Sequence, residues 1–134
     1  MATTELGHTS RFDDSTFDEV VARTTAALAD QGFGIITEID VKATMKKKLD
    51  VDGLPYKILG ACNPAFAHKA LTADPQVGLL LPCNVIVYEG EDTSITVSIV
   101  KPEQMFKLVD DPRMGELMGE VSEALEKVHA ALVG

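Results

Sequence analysis

The chain has 134 residues, 46% of them apolar and 25% charged, with no low-complexity tract and no solenoid repeat, which suits one folded domain and excludes fibrous and disordered classes. Twelve Lys and Arg against twenty-one Asp and Glu leave a formal charge of −9, a field that repels phosphate backbones, so nucleic acid is not an expected partner. The sequence predicts no export signal and no membrane span, and two cysteines in that context point to a reducing compartment, with cytoplasm the default.

Thr3 to Ser10 is polar and β-branched enough for a first strand. From Ser15, with Asp18 three residues on, the pattern turns helical: Phe17, Val20, Val21, Thr24 and Leu28 share one stripe, and Gly32 supplies a left-handed stop. Phe33 to Ile39 reads as a strand with Phe33, Ile35, Thr37 and Ile39 on one face and Ile36 on the other. Asp40 caps a short helix whose Val41, Met45 and Leu49 lie four apart, leaving Lys42 and Lys46 to Lys48 as a solvated face that supports no phosphate-binding claim. "DVDGLP" ends that helix with turn chemistry.

Tyr56 to Ala61 is a third strand. Asn63 and Pro64 then serve as N-cap and first-turn proline of a helix through Leu71, stopped by Asp74-Pro75. Pro82 separates an apolar approach from a strand, Cys83 to Glu89, since proline inside a central strand breaks its ladder. "EGED" turns the chain into Thr93 to Val100, where Ile95, Val97 and Ile99 alternate with Thr96 and Ser98, an antiparallel hairpin. Pro112 to Leu132 carries Met114, Leu117, Met118, Val121, Leu125, Val128 and Leu132 on one stripe, with Gly115 and Gly119 beside it open to a close crossing or subunit contact.

The order β-α-β-α-β-α-β-β-α predicts a single α+β domain, 1–134, with a largely antiparallel sheet and two long helices packed on one face. A glycine-rich nucleotide turn is missing, "GFG" being too short. The chemistry-bearing residues gather at one junction. Cys62 precedes the cap Asn63, where free helix N–H groups and the positive end of the dipole favour a thiolate or an anion. The plainer reading is a small residue buried at a tight turn. Cys83 begins a strand of the same sheet, so a dithiol, a disulfide or a two-sulfur metal site is open. His68, on the helix after the cap, is a base for Cys62 if it folds back, and otherwise a surface residue. Two Cys and one His leave a tetrahedral zinc one ligand short. His8 and His129 read as structural or solvated. The carboxylates read as caps, turns and a solvated helix side, with no acid–base pair.

Three linked motifs, "GFGIITEIDVKATM", "PYKILGACNPAFAHKAL" and "GLLLPCNVIVYE", closely resemble the prokaryotic family called domain of unknown function 302 over about Ser15 to Val100. The resemblance implies a small α+β fold with a curved antiparallel sheet, helices on one side and commonly a homodimer. It implies no mechanism, but Cys62 and Cys83 both fall inside its pattern. The expectation is a binding module for a small anion, a sulfur species or a metal-type cofactor at Cys62-Asn63-Pro64 with Cys83 nearby. Its rivals are a thiol-dependent redox or sulfur-transfer enzyme and a structural or partner-binding subunit.

Overall fold

A computed structural model describes residues 6–109 and 111–133. Five strands, β1 (Gly7–Phe12), β2 (Gly34–Asp40), β3 (Tyr56–Cys62), β4 (Cys83–Glu89) and β5 (Ile95–Val100), form one sheet in the order β1-β5-β4-β3-β2 with every pairing antiparallel. The helices are α1 (Phe17–Asp30), α2 (Val41–Leu49), α3 (Pro64–Ala73), α4 (Pro102–Met105) and α5 (Pro112–Val133), with short 3-10 turns at Pro75–Leu80 and Phe106–Leu108. Strands β2 to β5 meander through consecutive neighbours, while α1 carries the chain from one sheet edge to the other.

Period-2 alternation decides which face is covered. Val85 and Val87 of β4 and Ile95, Val97 and Ile99 of β5 are fully buried, and they meet the inner stripes of two long helices. Val20, Thr24 and Leu28 come from α1, and Leu117, Val121, Leu125, Val128 and Leu132 from α5. The buried Thr24 hydroxyl donates to the Val20 carbonyl at 2.8 Å, so it enters the core without an unsatisfied group.

Several boundaries differ from the expected ones. The first strand runs on to Phe12; the expected residues 3–5 lie outside the described residues. Helix α1 is capped by Thr16 rather than Ser15: its Oγ1 accepts the Glu19 N–H at 3.2 Å while the hydroxyl donates to Glu19 Oε1 at 2.9 Å. The cap lies one residue beyond the expected Ser15–Asp18 pair, with Glu19 bonded to the Thr16 hydroxyl. Gly32 does stop the helix, at φ 83, with the Phe33 N–H returning to the Leu28 carbonyl at 2.9 Å.

Strand β2 departs furthest from its pattern. A register shift between Ile35 and Thr37 breaks the alternation, and the strand lies at the sheet edge with most residues exposed. Helix α2 forms as capped by Asp40, whose carboxylate accepts the Ala43 N–H at 2.9 Å, yet none of its residues is buried. Helix α4 and the turn after it were not expected. Gly115 and Gly119 have open space where a Cβ would stand, so no close crossing uses them within the described residues.

Candidate functional site

The three motif stretches converge on one place. Asn63 follows the end of β3 in extended backbone and opens α3, with Pro64 at the first helical position. Its side chain is spent in two directions. Oδ1 accepts the Phe66 N–H at 3.4 Å, and Nδ2 donates to the Gln31 carbonyl at the end of α1, at 3.2 Å. A Cβ on Gly32 would stand 2.9 Å from that Nδ2. Glycine at 32 therefore serves twice, by adopting positive φ and by leaving room for the Asn63 amide. The Gly-Phe-Gly and Gly-Ala-Cys-Asn-Pro stretches are thus one structural unit. Gly60 makes a similar allowance: a Cβ there would collide with Thr37 Oγ1 and reach within 2.7 Å of Pro82 Cγ, joining the junction to the Leu-Pro-Cys-Asn stretch.

The unit encloses a cavity of about 290 Å³. Ala61 and Cys62 of β3, Asn63, and Phe66, Ala67 and Ala70 of α3 form one wall. Leu81, Pro82 and Cys83, entering β4, form another. Met118 and Val121 of α5, with Phe106 before it, close the far side, and the exposed Ile36 and Leu71 stand at the mouth. The Phe33 and Phe66 rings, 6.4 Å apart and tilted by 50°, pack the residue before β2 against α3.

Cys62 and Cys83 both line the cavity and both are free thiols. Cys83 pairs in register with Ala61, so Cys62 lies one residue beyond its cross-strand partner. Burial, with a smaller contribution from Cys62, pushes the Cys83 thiol up to about 11, holding it neutral near pH 7. Cys62 is half-buried.

His68 lies elsewhere. It lines a separate hollow with Lys69, Thr72, Arg113, Glu116 and Glu120, on the side of α3 that meets the start of α5. The structure therefore brings Cys62, Asn63 and Cys83 together and leaves His68 apart. Among the described residues no three His, Cys, Asp or Glu side chains are grouped to hold a metal ion. His129 stacks on His8, centroids 5.4 Å apart, and its Nδ1 hydrogen-bonds Ser10 Oγ at 3.2 Å, joining β1 to α5. Burial and then the charge of His8 lower its pKa.

Sequence reasoning missed Phe106, Met118 and Val121 as cavity residues. The last two are on the α5 stripe and read as core; Phe106 follows Pro102 in a stretch with too few residues for periodicity to show.

The sequence profile of the family described as "Domain of unknown function DUF302" matches residues 8–132. The chain belongs to the DUF302 family. Its fold agrees with a crystal structure of the uncharacterized conserved protein DUF302 from Bacillus stearothermophilus, at 25% identity and TM-score 0.80, over 92% of this chain and 97% of that one. No curated protein matches the sequence. As a DUF302 domain the chain takes a five-stranded antiparallel sheet with helices, and no helix among the described residues is long and apolar enough to cross a membrane.

Proposed function

We propose that this DUF302 domain is a cytoplasmic binding module that holds a small, soft ligand at the Cys62-Asn63-Pro64 helix start with Cys83 nearby. The observation that carries the reading is one cavity lined by Cys62, Asn63 and Cys83 together, at the meeting of all three family motifs. Concave, largely preformed apolar cavities with a few placed polar groups are where small ligands bind. Of a small anion, a sulfur species and a metal-type cofactor, the lining favours the sulfur species. Thiols are soft contacts for a neutral sulfur atom, the lining holds no charged side chain to balance an anion, and the residue set holds two metal-type ligands only. In the cytoplasm both thiols stay reduced and available.

The test is thermal melting with a small neutral thiol, propanethiol, on the wild type and on Cys62→Ser. A rise in Tm in the wild type and none in the variant is expected. No rise, or equal rises in both proteins, refutes the thiol contact.

The reading includes a homodimer, favoured by one further observation. Strand β2 is an edge, and Ile36, Ile39, Met45, Leu49, Val51 and Leu54 on and after it are exposed, Ile36 at 62% and Leu49 at 66%. An unpaired strand with an apolar flank fits a second copy of itself across a two-fold axis. Light scattering during size-exclusion chromatography is expected to give a dimer for the wild type and a monomer for Ile39→Asp/Leu49→Asp. A monomeric wild type refutes it.

A further inference from the structure

Resting on the reading of this cavity as a ligand site, we propose that its ligand is a neutral, hydrocarbon-rich molecule of about twelve carbons. The lining contains no Asp, Glu, Lys, Arg or His. Its single amide, Asn63, has Oδ1 on the Phe66 N–H and one Nδ2 hydrogen on the Gln31 carbonyl, which leaves one neutral N–H donor. The buried Cys83 thiol is neutral. A charged group taken inside would lose hydration and meet no charged side chain, a cost of several kcal/mol that disfavours carboxylates, phosphates and hydrated metal ions. A hydrocarbon meets no such cost.

Size follows from volume. A dry apolar cavity of about 150 Å³ accepts a benzene-sized molecule, and the cavity here, about 290 Å³, is nearly twice that. Met118, at its far side, has an unbranched side chain that adapts to irregular apolar shapes.

The experiment uses the full chain with methyl-labelled methionine, titrated separately with 1-decanol and with decanoate near neutral pH, following the Met118 methyl resonance. Decanol is expected to move that resonance saturably, at least about tenfold more tightly than decanoate. Ala67→Phe, which fills the cavity from α3, is expected to abolish the shift; if that variant fails to fold, the wild-type comparison still decides. Decanoate binding as tightly as decanol overturns the neutral ligand and leaves the cavity standing as a ligand site. No saturable shift with either compound overturns both. Decanol binding that weakens as protein concentration rises overturns it too, since the occupant is then a side chain of a second copy.

Discussion

Replacing Asn63 by alanine removes two hydrogen bonds that join different parts of the fold. The first is the cap: loss of the Oδ1 acceptor for the Phe66 N–H costs about 0.5–2 kcal/mol. The second is the Nδ2 donor to the Gln31 carbonyl, whose loss at a part-buried site costs about 1 kcal/mol. Together they predict a destabilisation of about 1.5–3 kcal/mol, or about 5–12 °C in Tm for a chain of this length. Urea unfolding followed by circular dichroism measures it, with an unchanged m-value expected because the surface exposed on unfolding is the same. Asn63→Asp separates the two bonds. It keeps an acceptor for the helix start, where a negative charge is favourable, but turns an oxygen toward the Gln31 carbonyl. Its stability is expected between the wild type and alanine. An Asn63→Ala variant within about 0.5 kcal/mol of wild type, the range of an ordinary surface change, would refute the claim that this amide ties α1 to α3.

Gly60→Ala forces a Cβ against Thr37 Oγ1 and Pro82 Cγ and is expected to cost about 1–3 kcal/mol in the same urea assay; a neutral effect would mean that β2 and the residues before β4 yield easily. Iodoacetamide at about pH 8 is expected to label Cys62 well before Cys83, because Cys83 is buried with its pKa raised to about 11; peptide mapping that finds equal rates refutes this. His129 holds its proton less tightly when folded than unfolded, so the unfolded state binds more protons as pH falls through about 6.5 and stability falls with it. Melting temperatures measured across that range should show a smaller acid loss in His129→Gln, and an identical slope would remove His129 as its source.

Much of this protein follows from local pattern. The alternation in Ile95-Thr96-Val97-Ser98-Ile99, the long stripe of α5 and the Asn63-Pro64 start each state their element, because a covered sheet face and a helix groove each demand one period. The Gly-Ala-Cys-Asn-Pro and Leu-Pro-Cys-Asn motifs likewise mark Cys62 and Cys83. Tertiary structure decided what local pattern does not carry. Strand β2 reads as amphipathic yet lies exposed at an edge, since sheet order depends on which strands pair at long range. Gly32 and Asn63 are 31 positions apart in the chain, and only the return of β3 past the end of α1 puts a missing Cβ beside an amide. Local sequence places a cysteine and a helix dipole at the junction. Packing against Phe106, Met118 and Val121 made it an apolar cavity, a property that arises where α5 packs on α3.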